Sequence, residues 1–268
     1  MEHMMFRSFD DTLLYIEKHF INNSGKVVIL IHGLSEYTGR YQHIAKRLNE
    51  EGYNVIALDN RGNGRSGGKK GDVKSFHDFL DDTHEIVLYA KELGYKKIYL
   101  LGHSLGGFIV NAYGVKYNDV DGIISSGAVG TFLPQVKAFK VIPFKLLKFI
   151  NIKNGLDAYL SHDPKVREEY LNDVFVNKKN KVNLFGECFI KGVKYIQKNI
   201  KNLTIPILYL HGTDDKIVPS SSSVYLYENV ASVDKELKLY DKYYHEIFNE
   251  VGKEQVFIDV VWWLKRHE

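Results

Sequence analysis

Val27-Val28-Ile29-Leu30-Ile31 is an unbroken run of β-branched and aliphatic residues, the pattern of a strand buried on both faces. It closes on His32-Gly33-Leu34, and a polar loop leads to helical spacing over Tyr41–Glu51, stopped by Gly52 as a left-handed cap. The unit then recurs. Asn54–Leu58 is a second strand, a helix over Phe76–Leu93 ends at Gly94, and Ile98–Leu101 is a third strand, apolar without alternation. Val120–Ser126 is a fourth. Strands alternating with helices predict an α/β fold with a mostly parallel sheet and helices on both faces. Ahead of them, Met5–Phe9 and Thr12–Lys18 flank Asp10-Asp11 and predict a hairpin.

The alternation stops at Gly127 and returns at Ile205-Pro206-Ile207-Leu208-Tyr209-Leu210. A helix over Ser220–Asn229, a strand over Glu236–Tyr240 and a terminal helix with Val256, Phe257, Val260, Val261 and Leu264 on one side complete the chain. Residues 1–127 and 204–268 therefore read as one discontinuous core, and 128–203 as an inserted helical cap. Within the cap, residues 136–150 are densely apolar with Lys137, Lys140, Lys145 and Lys148 interleaved. That stretch reads as a cap helix packed on the core, or as a basic amphipathic lid that rests on a lipid surface.

The third strand runs into Gly102-His103-Ser104-Leu105-Gly106-Gly107, and helical spacing resumes at Leu105, Phe108, Ile109, Ala112 and Val115. G-x-S-x-G between strand and helix is the nucleophile elbow. So tight a turn crowds its backbone, so glycine is needed two residues either side of the serine. The turn lifts Ser104 Oγ clear and sets it at the positive end of the helix, where the N–H of Leu105 can meet an oxyanion.

Composition narrows the chemistry. The 268 residues are 44% hydrophobic, enough for a sizeable core, and the net charge of +3 does not point to nucleic acid. One cysteine, Cys188, rules out an internal disulfide and a cysteine metal site and fits a reducing compartment. The first residues lack a signal peptide's apolar region and no run has transmembrane length; the expectation is a cytoplasmic protein, with peripheral membrane contact through the cap.

A serine hydroxyl needs a base. In chain order the elbow serine is followed by an acid and then a histidine. The loop Gly212-Thr213-Asp214-Asp215 offers two carboxylates, and only His245 and His267 follow them. His267 is the penultimate residue, at a fraying helix end. His245 lies between a strand and the last helix, at the sheet edge where catalytic loops gather. His32, His103 and His211 each close a strand beside glycines, and structural hydrogen bonding is their expected role. The loop 59–68 lacks the glycine and lysine spacing of a nucleotide cradle. It reads as structural, with Arg61 pairing a core carboxylate.

Taken together, His32-Gly33-Leu34, Asp59-x-Arg61-Gly62-x-Gly64-x-Ser66, Gly102-His103-Ser104-Leu105-Gly106-Gly107, Gly212-x-x-Asp215 and His245 resemble the monoacylglycerol lipase and lysophospholipase branch of the α/β-hydrolases. Leu160-Ser161-His162-Asp163-Pro164 and Arg167-Glu168-Glu169-Tyr170 in the cap resemble it too, so the likeness spans nearly the whole chain. It implies a triad of Ser104, Asp215 and His245, with Asp215 preferred to Asp214 by the G-x-x-D spacing. It also implies an oxyanion hole from the N–H groups of Leu34 and Leu105, a small-molecule acyl ester as substrate, and neither metal nor organic cofactor. Asn63 and Val174 depart from the branch, which often has histidine and proline there; the second departure bears on the cap loop and the substrate's size. A peptidase or amidase, a small-ester esterase and a non-catalytic binding protein are the alternative readings.

Overall fold

Eight strands build the sheet of the computed structural model, which describes residues 1–21, 24–133 and 144–268. In chain order the strands are β1 (Glu2–Arg7), β2 (Leu13–His19), β3 (Lys26–Ile31), β4 (Asn54–Leu58), β5 (Lys97–His103), β6 (Gly122–Ser126), β7 (Asn151–Lys153), β8 (Lys179–Lys181), β9 (Ile207–Gly212) and β10 (Lys235–Tyr240). The sheet order is β1-β2-β4-β3-β5-β6-β9-β10, with β7 and β8 paired apart from it. β1 and β2 are antiparallel to their neighbours and the rest run parallel. The sheet is the α/β architecture expected. The hairpin sits earlier than expected, because β1 takes in Glu2–Met4 and the turn spans residues 8–12.

Helices α1 (Gln42–Glu50), α2 (Phe76–Glu92), α3 (Leu105–Lys116), α4 (Pro164–Asn172), α5 (Val182–Gly186), α6 (Val193–Asn199), α7 (Ser221–Asn229) and α8 (Lys253–Arg266) include those that cover the sheet. The unbroken run of β3 explains why both faces need covering. Its Val27, Ile29 and Ile31 enter one core with Phe79, Ile86, Phe108 and Ile109 of α2 and α3. Val28 and Leu30 enter the other with Ile44 and Leu48 of α1 and Val256, Phe257 and Trp263 of α8. Each such side chain is fully buried and contributes about 1.5–3 kcal/mol over exposure. On α8, Trp263 fills the place expected of Val261, which is only half buried.

Among the described residues between β6 and β9, none forms a strand of the main sheet. The segment carries α4 to α6, with a π-helical segment at Glu187–Gly192 inside the run from α5 to α6, and the pair β7–β8. Those two strands have three residues each, too short to print a period on the sequence. Of the basic stretch 136–150, Lys137 and Lys140 lie outside the described residues. Phe144–Leu147 is a single 3₁₀ turn rather than an amphipathic α-helix. Leu146, Phe149 and Ile150 are exposed there by 77%, 68% and 51%.

Candidate active site

β5 ends and α3 begins around Ser104, whose backbone is left-handed at φ 56, ψ −111, a conformation a non-glycine residue holds at a cost of order 1–3 kcal/mol. The flanking glycines make it possible. A Cβ on Gly106 would lie 2.1 Å from the carbonyl oxygen of Ile31, and one on Gly102 would lie 2.2 Å from that of Gly106. The N–H of Ser104 donates to Ser126 O on β6 at 2.8 Å, which ties the elbow to the sheet.

Asp215 and His245 come from the loops after β9 and β10. His245 Nδ1 lies 2.6 Å from Asp215 Oδ2, while Asp215 Oδ1 accepts from the N–H groups of Ile217 and Val218 at 2.8 and 2.9 Å. Burial pushes the Asp215 carboxyl up, but the charge of His245 and the hydrogen bonds of His211 and His245 outweigh it and hold Asp215 far below the carboxylate range. Burial pulls the His245 imidazole down; the Asp215 charge and hydrogen bond reverse that and raise it above 6.5. Nε2 of His245 is buried without a hydrogen-bond partner, and the ring lines one cavity with Ser104. Asp214 instead stands half exposed beside Lys216, 3.7 Å away. His267 bonds Trp263 O and Asp234 at the end of α8.

The same cavity, about 10 Å³, is lined by Gly33, Leu34, Glu36, His103, Leu156, Leu160, Tyr170 and Glu246 as well. Leu34 is thus at the site, on the loop after β3, and Leu105 is the first residue of α3. His32 anchors that loop. Its Nε2 accepts the Asn60 N–H at 2.8 Å, so Nδ1 carries the proton and donates to Gly33 O at 2.7 Å. His103 packs at a tilt against His245, with ring centroids 4.7 Å apart and planes at 52°. Burial, then the neighbouring His245, depress its pKa to about 3, so it stays neutral. Arg61 pairs Asp82 at 2.6 Å and Asp10 at 2.9 Å, as the sequence suggested for loop 59–68.

Sequence reasoning missed a buried ionic cluster behind the site. Glu36 Oε2 accepts from Gly33 N–H at 2.9 Å and Tyr41 O–H at 2.5 Å. Arg40 reaches Glu36 at 3.2 Å and Glu246 at 2.7 Å, and its guanidinium lies 4.9 Å from the Tyr170 ring centre. The cluster joins the Leu34 loop to the residue after His245. Burial and Glu36 together raise the Glu246 carboxyl against the pull of Arg40. The local signal was Glu36 and Arg40 at i, i+4 after His-Gly; the partner, 206 residues away, was not.

The family model described as serine aminopeptidase, S33 (Hydrolase_4), matches residues 22–252. The chain belongs to this family. Among its relatives are a monoacylglycerol lipase of Mycolicibacterium smegmatis, 36% identical over 90% of this chain and 88% of that one, and the phospholipase YtpA of Bacillus subtilis, 30% identical over 86% and 92%. A crystal structure of the Paleococcus ferrophilus monoacylglycerol lipase superposes with TM-score 0.86 at 32% identity, covering 95% of this chain and 99% of that one. The yeast monoglyceride lipase, a soluble variant in complex with a substrate analogue, gives 0.85 at 27% identity over 99% and 94%. This member of the serine aminopeptidase S33 family is a hydrolase of the serine esterase type with the α/β-hydrolase fold.

Proposed function

We propose that the chain hydrolyses lipid acyl esters, monoacylglycerols or lysophospholipids, with Ser104 as nucleophile, His245 as base and Asp215 as its orienting acid. The observation that carries this is the convergence of a strained serine and a histidine on one cavity, the histidine's far nitrogen bonded to a buried carboxylate. In the first step His245 Nε2 takes the Ser104 proton as Oγ attacks the ester carbonyl, while Asp215 fixes the Nδ1–H tautomer. The tetrahedral oxyanion is met by the N–H groups of Leu34 and Leu105, the proposed oxyanion hole. His245 then protonates the leaving alcohol, and water releases the acid from the acyl-enzyme by the same steps. No metal or organic cofactor has a part in these steps.

The family's description favours a second reading, an aminopeptidase. A peptide's free ammonium group requires an unpaired carboxylate near the nucleophile. The carboxylates that line the cavity, Glu36 and Glu246, are bridged by Arg40, and Leu34, Leu156 and Leu160 supply apolar wall. That lining supports an acyl ester. At about 10 Å³ the cavity has room for little more than one water and is far smaller than a typical ligand site, so an acyl chain needs Leu156, Leu160 and Tyr170 to draw back.

The deciding experiment is a panel of 2-monoacylglycerols, lysophospholipids, p-nitrophenyl esters and aminoacyl anilides. Turnover of the lipid esters is expected; cleavage confined to the anilides overturns the reading. Protonated His245 cannot accept the serine proton, so kcat/KM for the preferred ester should fall with decreasing pH through a limb above the ordinary histidine value of 6.5. A limb well below 6 would mean that His245 is not the base.

The segment between β6 and β9 also supports peripheral contact with a lipid surface. Leu146, Phe149 and Ile150 stand exposed beside Lys145 and Lys148, a pairing that suits anionic interfaces. No helix among the described residues is long and apolar enough to cross a membrane. Lys145→Glu with Lys148→Glu should weaken the affinity for anionic vesicles read by co-sedimentation about 30-fold or more, at about 1 kcal/mol per lysine lost. Equal co-sedimentation of variant and parent would remove this contact.

A further inference from the structure

Four donors surround the Asp215 carboxylate, and the triad uses only one of them. Oδ1 holds two backbone N–H groups, and Oδ2 is shared between His245 Nδ1 at 2.6 Å and His211 Nε2 at 3.0 Å. His211 is the penultimate residue of β9, four positions before Asp215, and both side chains are wholly buried. Its protonation can be read from its neighbours. Nε2 also lies 2.9 Å from the carbonyl oxygen of Val218, which can only accept, so Nε2 carries a proton. Nδ1 lies 2.7 Å from Ser223 Oγ at the start of α7, a hydroxyl able to donate to it. His32 shows the opposite tautomer by the same logic, with Nδ1–H set by the Asn60 N–H.

We propose that His211 is a positioning residue of the triad, a second imidazole whose Nε2–H fixes Asp215 and limits how strongly its charge binds His245. This goes past the expected structural role of His211 and rests on the reading of Asp215 and His245 as triad members. The physical basis is the sharing of one oxygen. A donor on Oδ2 withdraws part of the carboxylate's charge from His245, so the imidazolium formed during attack is held firmly enough to form and loosely enough to return its proton to the leaving alcohol. Removing that donor frees charge for His245, favours the imidazolium and moves the acidic limb of the rate profile upward. The other titratable or charged groups facing this cluster are His103 from the end of β5, and Glu36, Glu246 and Arg40.

The test uses the full chain and a short ester it is shown to turn over. His211→Phe fills the space without a donor. It should lower kcat roughly 10–100-fold, the equivalent of losing one hydrogen bond to a charged group, with KM little changed. It should also raise the acidic limb of kcat/KM by roughly half a pH unit or more. His211→Gln keeps an N–H near the position of Nε2 and should return the limb to that of the parent. A limb unmoved in His211→Phe, or no rescue by Gln, would reduce His211 to a packing residue. Because His211→Phe can fail to fold, imidazole ¹⁵N–¹H correlation spectra of the unsubstituted protein provide the second measurement. His211 should show a slowly exchanging proton on Nε2, bonded to Asp215 and Val218, and that signal should vanish in His211→Gln. A His211 ring whose proton sits on Nδ1 and not on Nε2 overturns the proposal. The spectra hold even if no ester is cleaved, so failure of the esterase reading and failure of this one are distinct results.

Discussion

Ser104→Ala is expected to lower kcat for ester hydrolysis by about 10⁴–10⁶-fold, because triad members act as a unit and the rate left over comes from binding and the oxyanion hole. Covalent labelling by a fluorophosphonate should disappear in the same variant. Stability should scarcely change. The strain at Ser104 is in its backbone, φ 56 and ψ −111, and alanine keeps the Cβ that causes it. Ser104→Gly should therefore be the more stable variant by about 1 kcal/mol, since glycine tolerates positive φ. Kinetics, gel labelling and thermal unfolding of the two variants check all of this. Turnover within tenfold of the parent, with labelling retained, would take the nucleophile away from Ser104 and leave the proposed mechanism without its first step.

What the sequence made legible follows the range of the interactions involved. The elbow is mostly local: a Cβ on Gly102 would strike Gly106 in the next turn, and only the clash of one on Gly106, with Ile31 of the adjacent strand, is distant in sequence. The parallel sheet was legible in β3 because no residue from Val27 to Ile31 is polar, and a run of that kind requires cover on both sides. Asp215 and Asp214 were separable only by spacing; in the fold one is wholly buried on His245 and the other half exposed beside Lys216. The misses have a common cause. β7 and β8 find each other across residues 154–178, and Glu246 meets Arg40 across 206 positions. Neither three residues of strand nor one glutamate after a histidine carries a period or motif that could announce such partners. Tyr170 stood in a stretch resembling the lipase branch, yet nothing in that stretch tells that its ring covers Arg40 and closes the Ser104 cavity.

Arg40→Met should cost about 3–5 kcal/mol of stability at pH 8, the usual penalty for removing one partner of a buried ionic cluster. The side chains of Arg40, Glu36 and Glu246 are 7%, 5% and 3% exposed, so water cannot take over the guanidinium's role. The pH dependence is the sharper part. With Arg40 present, burial raises the Glu36 carboxyl, but the Arg40 charge and hydrogen bonds bring it below 4.5. Its contribution is then present above the unfolded pKa and is lost as pH falls through the lower folded one. Without Arg40, burial dominates and raises both carboxyls above their unfolded values. The sign reverses: folding is now aided below the unfolded value, and that aid is lost as pH rises through the folded pKa. The deficit of Arg40→Met relative to the parent should therefore shrink from pH 8 towards pH 5, as read by urea unfolding at both pH values. Because Glu36 also accepts the Gly33 N–H, the loop bearing Leu34 loses its tether, and kcat should fall by tenfold or more while Ser104 still reacts with a fluorophosphonate. A deficit under 1 kcal/mol at pH 8, or one equal at both pH values, would mean that the cluster holds neither the fold nor the loop.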